Sequence, residues 1–221
     1  MIFVLLSQIA NAGENNKVRP LINPIIGTYS YRVSDNTDNY FDNDVYRGLR
    51  VGGAVGVKYK SKQKGLAKVL PNMTGRTRVL YTQTIASEAQ ITDMRLGTFI
   101  GPKWGPAKIE IGVDGIRTEN VFPSADNQIV QDPYMAVATP LNAIFDIKVV
   151  KIQAMVSPQF FLGGSRDSVD YTQKTLPGFG DEMEYGLSGR VGLGPIGIGL
   201  SYSTRVTSYG NDTTIGVGIG L

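Results

Sequence analysis

The stretch IGIGLSYSTRV (196–206) alternates at nearly every step. Ile196, Ile198, Leu200, Tyr202 and Val206 share one face, and Gly197, Gly199, Ser201, Ser203 and Arg205 share the other. A period of two is the signature of a strand with one apolar face, and a helix would need a period near 3.6. The closing TTIGVGIGL (213–221) repeats the device, with Ile215, Val217, Ile219 and Leu221 opposite Gly216, Gly218 and Gly220. Glycine weakens a strand unless something must approach it closely. The bare face therefore predicts an interior crowded by long side chains from elsewhere.

The pattern extends outward from these two segments. In GLRVGGAVGVKYK (48–60), Leu49, Val51, Val55, Val57 and Tyr59 oppose Arg50, Gly52, Ala54, Gly56, Lys58 and Lys60. In EMEYGLSGRVGLG (182–194), Met183, Tyr185, Leu187, Val191 and Leu193 oppose Glu182, Glu184, Ser188 and Arg190. No segment shows helical periodicity over a useful length. The chain reads as about ten strands, at 25–33, 49–60, 76–85, 91–100, 107–117, 134–143, 147–162, 183–193, 196–206 and 213–221. Ordinary strands average about 5–6 residues, whereas a tilted strand needs about 9–11 to cross a bilayer. The predicted lengths match the second figure.

Connection lengths give an independent argument. Those at 34–48, 118–133 and 163–182 are long and polar, and those at GPKWGP (101–106), AIFD (143–146) and Gly194-Pro195 are tight. Long connections at one end and short turns at the other are the layout of an outer-membrane barrel. The connection at 61–75 departs from this by its length, and its GLAKVL can form a short helix; that at 86–90 departs by being short. Tyr29, Tyr31, Phe160, Tyr185 and Tyr202 fall toward the long-connection ends, and Tyr59, Trp104 and Phe145 toward the short ones. Rings at both ends fit two membrane–water interfaces.

Composition excludes several chemistries. The 221 residues contain no cysteine, hence no disulfide frame or thiolate ligand, and no histidine, the commonest general base and metal ligand. Glycine accounts for 27 residues, well above an average near 7%. The balance of 22 Lys+Arg against 19 Asp+Glu is too even to point to nucleic acid. MIFVLLSQIANAG opens with an apolar run, and Ala10-Asn11-Ala12 has the small-x-small form of a cleavage site. This predicts a signal peptide over 1–12 and a single barrel domain over 13–221; the bland alternative is a buried N-terminal strand. No run reaches 18 apolar residues, so no transmembrane helix is expected.

By its signal-like start, alternating strands and connection asymmetry, the chain resembles a small bacterial outer-membrane β-barrel protein. The resemblance is architectural and extends over nearly the whole mature chain. It implies a transmembrane antiparallel barrel in the bacterial outer membrane, surrounded by lipid and lipopolysaccharide. The enzymes known in such barrels lean on a histidine, and this chain has none, so no catalytic residue carries over and the chain is expected not to be an enzyme. No cofactor or metal is implied either.

Sorting strands by parity gives the expected lumen. Its cations include Arg32, Arg50, Lys58, Lys60, Arg76, Arg78, Arg95, Lys108, Lys151, Arg190 and Arg205, and its anions Asp93, Glu110, Asp114, Glu182 and Glu184. A cation facing lipid at mid-depth costs about 2–4 kcal/mol, so this parity is the favoured one. Two readings follow: a salt-bridged plug filling a structural barrel, or a narrow water-filled pore preferring anions. Asp93, Glu110 and Asp114 as hydrolytic carboxylates are disfavoured by their arginine neighbours. The segment 34–44 holds Asp35, Asp38, Asp42 and Asp44 without a cation. Together with the aromatics of 34–48 and 163–182, it suggests a surface for an extracellular partner. Calcium is the sharper alternative there, but the spacing lacks an EF-hand's Glu and Gly. A soluble lipocalin-like ligand-binding barrel is the competing fold, and it would require an apolar interior.

Overall fold

The computed structural model describes residues 17–33, 45–60, 72–85, 90–123, 129–147, 149–164, 182–193, 196–206 and 210–220. The elements are β1 (Lys17–Val33), β2 (Val45–Lys60), β3 (Asn72–Ile85), β4 (Gln90–Trp104), β5 (Ala107–Pro123), β6 (Ile129–Ala138), β7 (Leu141–Ile147), β8 (Val150–Gly164), β9 (Glu182–Leu193), β10 (Ile196–Val206) and β11 (Gly210–Gly220). All are antiparallel to their neighbours, and β1 pairs with both β2 and β11, so the sheet closes on itself. Both β6 and β7 lie between β5 and β8, and they form two halves of one stave. The result is a closed ten-stave antiparallel barrel with no helix among the described residues.

The divided stave corrects the reading of 134–143 as a single strand followed by an AIFD turn. Pro140 has no N–H to give to the ladder, so pairing stops there and resumes at Leu141. The break stays bonded to both neighbours: Gly112 N–H donates to the Pro140 carbonyl at 2.9 Å, and Thr139 N–H to the Pro158 carbonyl at 3.0 Å. Ala143–Asp146 is therefore strand, with Phe145 outward and Asn142 and Ile144 inward, and the chain reverses between Ile147 and Val150.

Other boundaries move in the same direction. The tight turn in GPKWGP shrinks to Gly105-Pro106, with Gly105 at φ 52°, a left-handed conformation that glycine adopts without strain. The predicted 118–133 loop is mostly strand, since β5 runs to Pro123 and β6 starts at Ile129. Glu119 is accordingly a strand residue, paired with Arg117 at 2.6 Å on the outer face. Most staves exceed the crossing length, with 17 residues in β1 and β5.

The outward face is apolar on every stave. Ile22, Ile26, Val55, Val79, Leu96, Ile111, Leu141, Ile152, Leu187, Val191, Leu200 and Val217 are all exposed. The inward face holds most of the buried charge: Arg50, Asp93, Glu110, Asp114, Glu182, Glu184, Arg205 and Asp212. A soluble barrel has the opposite arrangement, and an apolar surface this continuous belongs against lipid. Trp104 and Phe145 stand outward near one rim, and Tyr81, Tyr185 and Tyr202 nearer the other. Tyr29 and Tyr31 do not join them. Both are buried and face the lumen, as is Tyr46, because β1 places its odd-numbered residues inside. The same parity turns Arg32 outward and exposed, which corrects its place in the lumen.

Candidate functional site

The lumen has two tiers. Residues 34–44 and 165–181 link staves at one end, called here the long-loop end; 105–106, 148–149 and 194–195 link them at the other, the short-turn end. Just below the long-loop end, side chains from opposite walls meet. Arg50 on β2 reaches Asp93 on β4 at 3.2 Å, Asp212 on β11 at 3.7 Å, and the hydroxyls of Thr82 and Thr214 at 3.0 and 2.9 Å. Arg95 pairs with Asp93 at 2.8 Å and crosses the barrel to Glu184 on β9 at 2.5 Å. Arg205 on β10 pairs with Asp212 at 2.9 Å. The amide of Gln159 and the hydroxyl of Thr118 donate to Glu184 and Asp93 at 3.1 and 3.3 Å.

This network is balanced, with Arg50, Arg95 and Arg205 against Asp93, Glu184 and Asp212. Every member is buried or nearly so, and Asp93 is 1% exposed. Buried charges persist when they are paired and hydrogen-bonded, and each one here is. The facing wall accommodates them because it is small: Gly186, Ser188, Ser201 and Ser203 line a cavity of about 180 Å³ beside Arg78, Arg95 and Glu184.

Below it, Phe99 is fully buried, clamped between the guanidinium groups of Arg76 and Arg78 at 4.5 and 4.9 Å from its ring centroid. A Cβ on Gly112 would lie 2.5 Å from the Phe99 ring, and one on Gly97 would meet Asp114. Glycine at those positions gives ring and carboxylate their room. Asp114 in turn holds Arg78 at 3.0 Å.

The lower tier is a cavity of about 530 Å³ at the short-turn end. Among the described residues its walls carry eight cations (Arg19, Lys58, Lys60, Arg76, Lys103, Lys108, Lys151 and Arg190) and two carboxylates, Glu110 and Asp146. Glu110 is fully buried and takes Arg76 at 3.2 Å together with Lys108; Asp146 takes Lys103 at 3.6 Å. Arg190 lies along Gly197, where a Cβ would stand 2.0 Å from its Nε. That is the service glycine renders on this wall: a guanidinium rests flat where any side chain would displace it.

Of the lumen residues read from the sequence, Arg50, Asp93, Arg95, Glu184 and Arg205 meet in the upper network. Arg78 and Asp114 pair in the middle, and Lys58, Arg76, Lys108, Glu110 and Arg190 line the lower cavity. Asp35, Asp38, Asp42 and Asp44 lie outside the described residues, as does the 1–12 segment. Among the described residues, no group of three potential ligand side chains is placed to hold a metal ion. Sequence reasoning missed Asp212 by starting the last strand at 213, and Arg19 by starting the first at 25. It also missed Lys103 and Asp146, which it assigned to turns. The alternating parity, continued past the predicted strand ends, finds Asp212, Lys103 and Asp146; Arg19 follows only from the corrected parity of β1, which turns its odd-numbered residues inward.

No protein-family model matches the chain, and no curated protein matches its sequence. Solved structures do. The β domain of the Bordetella autotransporter BrkA matches with a TM-score of 0.52 at 11% identity, covering 92% of this chain and 98% of that one. The transport unit of the autotransporter AIDA-I from Escherichia coli gives 0.48 at 12% identity, covering 98% and 96%. The translocator domain of the autotransporter NalP from Neisseria meningitidis gives 0.41 at 12% identity, covering 99% and 93%. At these identities the likeness is one of fold, and the fold is that of an outer-membrane β-barrel.

Proposed function

We propose that the chain is a structural barrel of the bacterial outer membrane, sealed across its long-loop half, and that it is neither an enzyme nor an open pore. One observation carries this reading: the cross-lumen network of Arg50, Asp93, Arg95, Glu184, Arg205 and Asp212, which is charge-balanced and buried. An anion-selective filter needs uncompensated cations facing water. Here each arginine is neutralised by a carboxylate at the level where an ion would have to pass. The continuous apolar exterior and the aromatic residues near both rims support a lipid surround, with lipopolysaccharide on the outer side. A surface partner for the acidic sequences that join staves at the long-loop end is the natural use of such a closed scaffold.

The test is single-channel recording in a planar bilayer, with insertion verified by heat-dependent gel migration. The wild-type barrel inserts and stays silent. Replacing the charges as a set, with Asp93→Asn, Arg95→Gln and Glu184→Gln together, removes the ion pairs without stranding a charge and produces conducting steps. Discrete ohmic steps from the wild type would overturn the reading.

A further inference from the structure

The lower cavity has no place in a purely structural barrel. A filler of the lumen would balance its charges as the upper tier does, yet here, among the described residues, eight cations face two carboxylates. Both carboxylates are already committed, Glu110 to Arg76 and Lys108, and Asp146 to Lys103. Lys58 and Lys151 have no carboxylate within ion-pair distance among the described residues, although both side chains are partly buried. Glu110 attracts both, but nearby cations act on each more strongly: Arg190, Arg76 and Lys108 on Lys58, and Arg76, Lys58 and Lys108 on Lys151. Like charges gathered in a space with low-dielectric walls repel one another and raise the local concentration of any anion that enters.

We propose that this cavity is a binding site for a small solute bearing at least two phosphate charges, taken up at the short-turn end. Its volume of about 530 Å³ lies within the range of roughly 300–1,000 Å³ typical of small-molecule sites, and is too roomy for a single halide to engage cations on opposite walls. Lys58 on β2 and Lys151 on β8 approach from different sides of the barrel. Their ammonium groups can each donate charge-assisted hydrogen bonds to a phosphate's oxygens. A diphosphate group replaces repulsion among these side chains with charge-assisted hydrogen bonds. The site deepens the sealed-barrel reading, which makes the cavity a dead end and the solute a bound ligand rather than a passenger.

The experiment is titration calorimetry of the refolded full chain in neutral detergent micelles, with inorganic pyrophosphate as the probe. Saturable binding near one equivalent is expected, weakened at least tenfold in a Lys58→Gln/Lys151→Gln variant that keeps its heat-dependent gel shift. An Arg47→Gln/Arg117→Gln variant, altered on the outer face near the opposite end, binds as the wild type does. If the lysine pair proves needed for folding, protection provides the second measurement: pyrophosphate should slow trinitrobenzenesulfonate labelling of Lys58 and Lys151 in the wild type, located by peptide mapping. No saturable binding, equal binding by the lysine variant, or unprotected lysines would overturn the proposal. Because the readout needs no membrane potential, a conducting barrel that binds pyrophosphate would refute the seal alone, and a silent barrel that does not bind it would refute this site alone.

Discussion

The upper half of the lumen sets Arg50, Arg95 and Arg205 against Asp93, Glu184 and Asp212; the lower half sets eight cations against Glu110 and Asp146. Both tiers are built from inward-facing residues of the same staves, so the difference is not one of fold. It is a difference in what the charges are for. Above, each guanidinium lies against a carboxylate, and removing either partner strands the other. Below, Lys58 and Lys151 have no carboxylate partner among the described residues to strand. Counting charges along a strand therefore says little about a barrel interior until one knows which of them meet.

The sharpest way to break this contrast is to truncate one charge in each tier. Arg95→Ala leaves Asp93 and Glu184 short of their shared partner, and should cost about 3–5 kcal/mol of stability. The midpoint of urea unfolding in lipid vesicles measures it. A smaller loss, about 2–4 kcal/mol by the same assay, is expected of Leu200→Arg, which puts a cation against lipid on the outward face of β10. If that substitution left both insertion and the midpoint unchanged, the assignment of outward and inward faces would fail. Lys151→Gln removes a cation from a crowd of like charges, so it should shift stability by no more than about 0.5 kcal/mol, and upward if at all. Raising the salt concentration should then stabilise the wild type slightly and the Lys151→Gln variant less, because screening relieves only the lower tier. A comparably small effect belongs to the Arg117–Glu119 pair on the outer face, exposed at 61% and 45%; Glu119→Gln should cost no more than about 0.5 kcal/mol.

Much of this was legible in the chain because period two and membrane-crossing length are both local signals. β10 occupies 196–206 and β9 starts within one residue of its expected position. What escaped was governed by proline. The run KVRPLINP (17–24) looks unlike a strand, since Pro20 and Pro24 cannot donate to a ladder. Within the barrel it is one, because β1 meets β11 only from Ile25 onward and, among the described residues, 17–24 pair with β2 alone. On that half-open stretch the missing N–H groups can face the unpaired side. Pro140 misled in the opposite direction: the alternation reads straight through it to 143, which hides the break and makes the continuation of the stave to Ile147 look like an AIFD turn. The tiers themselves were not readable in advance. Parity says that Arg50 and Lys58 point inward, but only the stagger of the staves decides that one meets Asp93 while the other meets further cations.

The junction of β1 with β11 has one further consequence. Among the described staves, every other neighbouring pair is close in sequence and can form as a hairpin or a near relative of one. Ile25 opposite Gly218, in contrast, joins residues from the two ends of the chain. Loop-closure entropy falls most heavily on that pair, and long-range pairings form slowly. The barrel should accordingly mature as a growing open sheet whose first and last strands find each other at the end. A defect placed at the glycine-lined β11, such as a bulky residue at Gly216, would show itself in the rate of closure: heat-resistant gel migration would arrive late, well after the strand signal in circular dichroism.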